Sequence, residues 1–267
     1  ASGFVQNANN TPFLAAGPGS EMDPSAYSPY LGIELGMTNR GLRATELLAA
    51  DTSITPDELL AIKMDMTYSK QSWVGAWMAS FAALDLKDAP ELAKAQKLLA
   101  GWDWTSDGKG SADAFAERII RFGARPHWRG DTMPDARSTL REAVTEFTSR
   151  FGRIDPPLGD IQRLRRGNVD VPMLGGTDAL RATTAWDADQ ADGKMRVKHG
   201  DSFIMLVRWD KAGNVLSESI QPYGAATTRP ESLHYTDQMK LFVAGKYKPV
   251  HFEWADAVKH AKRRYRP

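Results

Sequence analysis

From about residue 40 to residue 151, apolar side chains return every three or four positions, the repeat of one helix face, and this period predicts helices over 40–50, 70–84, 90–100, 112–122 and 135–151. A further helix start is written at Thr55-Pro56-Asp57-Glu58, which reads as an N-cap, a proline at the first helical position and a capping-box glutamate ahead of Leu59, Leu60 and Ile62. Trp73, Trp77 and Phe81 share one face of the segment 70–84. The first forty residues lack any such period. Pro12, Pro18, Pro24 and Pro29 alternate with Gly17, Gly19, Gly32 and Gly36, so this stretch is expected to be extended and irregular and to lie on a scaffold built by the rest. After Pro156-Pro157 the pattern changes. Residues 202–209 are rich in β-branched and aromatic side chains, 210–214 read as a turn, and 215–221 return as the second strand of a hairpin. Residues 234–244 and 254–263 read as closing helices. The result is an α+β chain in three regions: an extended segment 1–40, a helical region 41–155 and a mixed closing region 156–267.

A length of 267 residues with 42% hydrophobic and 25% charged side chains fits a soluble globular protein of one large or two modest domains. The net charge of +1 gives no electrostatic reason to expect nucleic acid or an anionic membrane as the main partner. Cysteine is absent, which excludes disulfides, thiolate metal sites and a cysteine nucleophile but leaves the compartment open. No apolar run approaches the ~18 residues of a membrane span. Ala1-Ser2-Gly3-Phe4 is unlike a signal peptide, so any signal is expected to have been removed or to belong to an upstream segment.

The chemistry concentrates in Gln6-Asn7-Ala8-Asn9-Asn10-Thr11-Pro12. Asparagine offers uncharged N–H donors suited to a developing oxyanion, and one preorganised donor contributes roughly 3 kcal/mol to a transition state. The competing reading is that these asparagines shape a loop, since Asn bonds its own backbone and tolerates left-handed conformations. This segment resembles the oxyanion-hole stretch of the penicillin acylase family of N-terminal-nucleophile (Ntn) hydrolases. Asn39-Arg40-Gly41-Leu42-Arg43-Ala44-Thr45-Glu46 is similar to that family's Arg-x-Thr-Glu helix start. The likeness continues through residues 158–167, through Val171-Pro172-Met173-Leu174-Gly175-Gly176-Thr177-Asp178, His199-Gly200-Asp201-Ser202 and Tyr223-Gly224, to His234-Tyr235-Thr236-Asp237-Gln238. It is nearer to the acyl-homoserine lactone and aculeacin acylases than to the penicillin G enzymes, and the order of the motifs makes it specific.

The resemblance implies the C-terminal half of an acylase β chain, part of a four-layer αββα fold. It implies hydrolysis of a linear amide in an N-acylated small molecule, such as an acyl-homoserine lactone or a β-lactam, through an acyl-enzyme on an N-terminal Ser. That Ser is expected on an upstream segment or partner subunit, with Ala1 a fragment or processing boundary; Ser2, which removal of Ala1 would expose, lacks the strand that carries the family nucleophile. Asn9 is the implied oxyanion donor, with Asn10 supporting the turn. Arg43 is the implied ordering residue around the nucleophile, with Arg40 as the fallback; a structural Arg43–Glu46 ion pair is the alternative. No cofactor, metal, nucleic acid or membrane is expected, and a periplasmic or secreted location is implied. The alternative function is a non-catalytic acylase-like binding or assembly module.

Weaker candidates are read as structural. The run from Asp187 to Gly193 has the wrong spacing for a calcium loop and reads as an acidic turn, and Asp23 is an insecure match to a calcium-binding aspartate of some family members. His127, His199, His234, His251 and His260 show no His-x-x-x-His pair or metal-ligand grouping, with His234 and Asp237 read as a brace. The basic run 259–266 reads as a solvated tail, Arg163, Arg165 and Arg166 as solvated or in interchain ion pairs, and Trp73, Trp77, Trp102 and Trp104 as core rather than cleft.

Overall fold

Thr55 caps its helix as its sequence dictates: its hydroxyl accepts the Glu58 N–H while the Glu58 carboxylate accepts the Thr55 N–H, so two orphan donors are satisfied reciprocally. Thr38, Ser72 and Asp135 likewise accept N–H groups at the starts of their helices. The structure, a computed structural model, describes residues 2–188 and 192–264, with only the backbone of 186–188. It divides into two compact units, Ala1–Arg163 with Pro172–Gly200, and Leu164–Val171 with Asp201–Pro267.

The first unit holds α1 (Asn39–Ala49), α2 (Pro56–Lys63), α3 (Trp73–Ala82), α4 (Pro90–Ala100), α5 (Asp113–Arg129), α6 (Ala136–Phe151) and α7 (Leu158–Ile161). Their buried faces supply the core: Phe115 meets Phe147 edge-on with ring centroids 5.2 Å apart, Trp77 meets Phe81 at 4.6 Å, and Ile119, Ile120 and Leu140 are fully buried. Helix α5 runs past the expected end at residue 122, through Pro126 to Arg129. Gly123, a weak breaker on paper, is a packing residue: a Cβ there would lie 2.7 Å from Trp77 Nε1, so its absence lets α3 and α5 close. Trp77 Nε1 also donates to the Ile119 carbonyl at 2.9 Å.

Residues before α1 form no long element. Three single 3₁₀ turns, Pro12–Leu14, Pro24–Ala26 and Pro29–Leu31, each start at a proline and are capped by Thr11, Asp23 and Ser28. The expectation of an extended, irregular segment holds. Four strands after α7 were not foreseen: β1 (Gln162–Arg166), β2 (Val169–Pro172), β3 (Thr183–Ala188) and β4 (Met195–Gly200). Strands β3 and β4 pair antiparallel with register shifts on either side of Ala185, and Gln162 and Arg163 of β1 run parallel to Met195 and Arg196 of β4. Arginine-rich β1 carries no clean alternation, which hides it from a period-two search.

In the second unit, β5 (Ile204–Trp209) and β6 (Val215–Ile220) form the expected hairpin, in register from Ile204 opposite Ile220 to Trp209 opposite Val215. Asp210 closes the turn by accepting the N–H groups of Ala212 and Asn214 on its carboxylate. β7 (Lys248–Pro249) adds to β6. The closing helices are shorter than expected. α8 (Met239–Val243) is preceded by a separate 3₁₀ turn at Leu233–Tyr235, and α9 (Trp254–His260) ends three residues early. His234 Nδ1 meets the Asp237 carboxylate at 2.7 Å, so the expected brace sits in the turn before α8 rather than on the final helix. The arginines of the β1–β2 hairpin are engaged: Arg165 pairs with Asp170 at 3.0 Å and Arg166 lies over the Tyr223 ring at 3.8 Å. The fold is thus mixed, with helices and two small sheets, in keeping with an α+β class. Among the described residues no helix is long and apolar enough to cross a membrane.

Candidate active site

The asparagine loop is built by its own side chains. Asn7 Oδ1 accepts the Asn9 N–H at 2.9 Å, and Asn10 Oδ1 accepts the Ala8 N–H at 2.8 Å while its Nδ2 donates to the Thr11 carbonyl. Asn10 is buried, so it supports the turn as expected. The loop is seated on the start of α1: Thr38 Oγ1 donates to the Ala8 carbonyl at 2.9 Å, and a Cβ on Gly41 would lie 2.8 Å from Asn10 Oδ1. Held in this way, Asn9 takes φ +59°, a left-handed conformation that asparagine tolerates better than most residues.

Asn9 projects outward and its Oδ1 accepts from Arg40 Nη2 at 3.0 Å. Asn9 Nδ2 has no partner among the described residues. Because an amide is planar, fixing the oxygen aims the two Nδ2 hydrogens, which is the preorganisation an anion donor needs. Arg40 is fixed in turn by its Nε, 3.1 Å from Asp178 Oδ1.

Asp178 is the hub. Its side chain is 1% exposed, and its Oδ2 accepts the Asn39 N–H at 2.8 Å and Trp73 Nε1 at 2.9 Å. The Asp178 carbonyl takes Asn39 Nδ2 at 2.8 Å, while Asn39 Oδ1 accepts the Ser69 N–H. A carboxylate this deep is tolerable because a guanidinium and two further donors compensate it. One of those donors is an orphan N–H of the first turn of α1, where negative charge is favoured.

Arg43 points elsewhere. Its Nε and Nη2 grip Asp65 at 3.0 and 3.2 Å, and its Nη1 reaches Glu46 at 3.3 Å. The Arg43–Glu46 pair of the alternative reading therefore forms, joined by a bidentate contact to Asp65 that raises the guanidinium pKa further. The guanidinium that reaches Asn9 is that of Arg40.

A second polar cluster underlies Asp178. Glu117 is buried with no exposed face for its charge; its Oε1 accepts from Tyr68 Oη at 2.6 Å and Ser106 Oγ at 2.5 Å, and its Oε2 accepts the Thr177 N–H at 3.0 Å. Gly176 is obligatory here, since a Cβ would lie 1.9 Å from Glu117 Oε1 and 2.2 Å from Tyr68 Oη. Desolvation raises the Glu117 pKa to about 7, only partly opposed by the hydrogen bonds from Ser106, Tyr68 and Thr177 and by the charge of Arg121. Between its ordinary value of 4.5 and about 7 the folded state holds a proton that the unfolded state has released. Stability therefore falls as pH rises through this window, by roughly 3 kcal/mol for the full shift. Glu117→Gln, which keeps an acceptor for Thr177 and presents donors to the two hydroxyls, is expected to flatten the decline between pH 5 and 8. Urea unfolding of both proteins across that range measures it, and parallel curves would exclude Glu117 as the source.

Trp73 joins the hub to an apolar cleft. Its ring stacks on His127 with centroids 4.7 Å apart, and the two line a cavity of about 480 Å³ with Trp77, Met133 and Pro134. Trp77 lies in the core as expected and also borders this cleft, whereas Trp73 is only half-buried and forms its wall. Burial lowers the His127 pKa, which favours a neutral imidazole at this wall.

The remaining candidates resolve locally. The Ser2 hydroxyl donates to the Ala16 and Phe4 carbonyls. Asp23 is the exposed cap of its 3₁₀ turn, bonded to Ser25. Residues 189–191 of the acidic run 187–193 and residues 265 and 266 of the basic run lie outside the described residues. His251 and His260 are hydrogen-bonded to Asp256, as structural histidines would be, and folding gathers the three into one group although the sequence offers no His-x-x-x-His pair.

The loop therefore presents an asparagine amide whose oxygen is held by an arginine, seated on a helix start within an α+β scaffold. The penicillin amidase family model matches residues 1–259, and the chain belongs to the penicillin amidase family. It is similar to the acyl-homoserine lactone acylase PvdQ of Pseudomonas syringae pv. syringae (strain B728a), with 24% identity over 93% of this chain and 35% of that protein. It is also similar to the PvdQ acylases of P. syringae pv. tomato (24% identity; 90% and 34% covered) and P. savastanoi pv. phaseolicola (23%; 90% and 34%). The chain spans about a third of the length of these curated relatives.

Proposed function

We propose that this chain is the oxyanion-stabilising part of an acylase that hydrolyses the linear amide of an N-acylated small molecule, an acyl-homoserine lactone or a β-lactam being the substrate types. The carrying observation is the Asn9 carboxamide, whose oxygen is committed to Arg40 and whose Nδ2 is left to donate. An N-terminal Ser on another segment of the acylase attacks the substrate carbonyl, and its neutral α-amine takes the hydroxyl proton. Asn9 Nδ2 stabilises the tetrahedral oxyanion, the amine leaves with the proton, and water hydrolyses the acyl-enzyme. Arg43 orders the site through α1, with Asp65 and Glu46 holding its guanidinium.

The surface of the segment before α1 supports a partner. Val5, Leu31 and Leu35 are largely exposed and Tyr30 is 99% exposed, apolar area that a partner segment completing the four-layer αββα fold would cover. A periplasmic or secreted location goes with this reading.

Co-expression with the family's Ser-initiated segment and assay of N-acyl homoserine lactone hydrolysis tests the proposal. Turnover is expected from the assembled protein and none from this chain alone. Turnover by the purified chain alone would refute the assignment of the nucleophile, and an inactive assembly would favour a binding or assembly module.

A further inference from the structure

We propose that His251, Asp256 and His260 form a binding site for a divalent transition-metal ion such as Zn²⁺, carried by the second unit and independent of the acylase reading. His260 lies four residues after Asp256 on α9, which places both side chains on one side of the helix, and His251 approaches from the segment between β7 and α9. Asp256 meets both imidazoles: its Oδ2 bonds His251 Nδ1, and His260 Nδ1 lies 3.0 Å from its Oδ1 and hydrogen-bonds its backbone carbonyl at 3.0 Å. The rings are stacked, at 12° with centroids 4.2 Å apart, so one of them must turn about its side-chain torsions before both Nδ1 lone pairs point at a single ion. One donor atom from each residue lies within 4.8 Å of the other two.

Two imidazole nitrogens and a carboxylate oxygen make a three-ligand set that leaves room for water or a further group on the ion. Bonds of about 2.0–2.2 Å place the donors of a tetrahedral Zn²⁺ about 3.4 Å apart. The His260–Asp256 contact is already inside that distance, and the side chains are partly exposed, so the imidazoles have room to rotate and close the set around an ion. The ion replaces the protons that the imidazoles share with Asp256.

The surroundings select the metal. Lys259 acts directly on Asp256, and Lys262, Arg263 and Arg264 follow in sequence, so a cation held by charge alone is repelled. Ca²⁺ and Mg²⁺ prefer oxygen ligands and gain little from imidazole, whereas Zn²⁺, Ni²⁺ and Cu²⁺ bond to it strongly. A bound ion would tie the segment after β7 to α9 and stabilise the end of the chain.

Isothermal titration of the 267-residue chain with ZnCl₂ tests the site, with Co²⁺ absorption reporting ligand type. A single saturable Zn²⁺ site is expected, weakened at least tenfold in His251→Asn, Asp256→Asn and His260→Asn, together with a visible Co²⁺ band lost in the same variants and no heat from CaCl₂. Circular dichroism of each metal-free variant shows whether α9 persists, and the three independent substitutions keep the test decisive if one unfolds. Absence of saturable Zn²⁺ binding, binding unchanged in the three variants, or equal affinity for Ca²⁺ would overturn the proposal.

Discussion

Asn9→Gly in the assembled acylase is expected to lower kcat by about 10²–10³ while leaving KM within a few-fold, because one oxyanion donor contributes about 3–4 kcal/mol to the transition state and little to the ground state. Glycine is the informative replacement, since Asn9 sits at φ +59° and glycine adopts that conformation without cost. Asn9→Ala removes the same donor but adds left-handed strain of about 1 kcal/mol, so a comparison of the two separates chemistry from loop distortion. Asn9→Asp keeps the shape and strengthens the contact to Arg40, yet it places negative charge where the oxyanion forms. Its activity is expected to fall at least as far as that of the glycine variant. Steady-state kinetics on an N-acyl homoserine lactone measures all three. Near-wild-type kcat in Asn9→Gly would mean that Asn9 only shapes its loop.

Asp178→Ala carries the largest expected stability loss, about 2–4 kcal/mol, because it strands a half-buried guanidinium and two further donors at once. Arg40 Nε, the Asn39 N–H and Trp73 Nε1 all lose their acceptor, and alanine is unfavourable at the φ of +63° that Asp178 adopts. Asp178→Asn should be milder in backbone terms, since asparagine tolerates this conformation, but one carboxylate oxygen becomes an NH₂ group facing a donor. Denaturant unfolding gives the difference directly. The functional consequence follows from the geometry: with Asp178 gone, Arg40 loses its anchor and the Asn9 amide its orientation, so activity falls even in whatever fraction stays folded. A loss below about 0.5 kcal/mol for Asp178→Ala, the range of ordinary surface substitutions, would show that Asp178 is not the hub.

Much of the local architecture was legible. Thr55 and Glu58 announced their helix because both halves of the capping box lie within four residues, and the hairpin 204–220 followed from a run of β-branched and aromatic residues and the turn Asp210-Lys211-Ala212-Gly213-Asn214. Family motifs marked the asparagine loop, and the two readings of Arg43 contained the ion pair that forms with Glu46. Other features were misread for identifiable reasons. Helix α5 crosses Gly123 and Pro126, which look like breakers until Trp77 is seen packed on the glycine. Strands β1 to β4 are short and charged, so their pairing rather than their composition defines them. The acceptor for Arg40 was present in the sequence as Gly175-Gly176-Thr177-Asp178, quoted there only as a motif; the paired glycines ahead of an aspartate were the one local signal.

The sequence by itself determined which segments become helices, where most of them start, and that the proline- and glycine-rich stretch before α1 forms no long element. Those properties depend on neighbours within a turn or two of the chain. Only the tertiary structure decided that Arg40 rather than Arg43 holds the Asn9 amide, that Asp178 fixes Arg40 from 138 residues away, and that Glu117 is buried beneath them. Charge pairing and desolvation act through space, and no local period encodes which distant carboxylate will be excluded from water beside a given guanidinium.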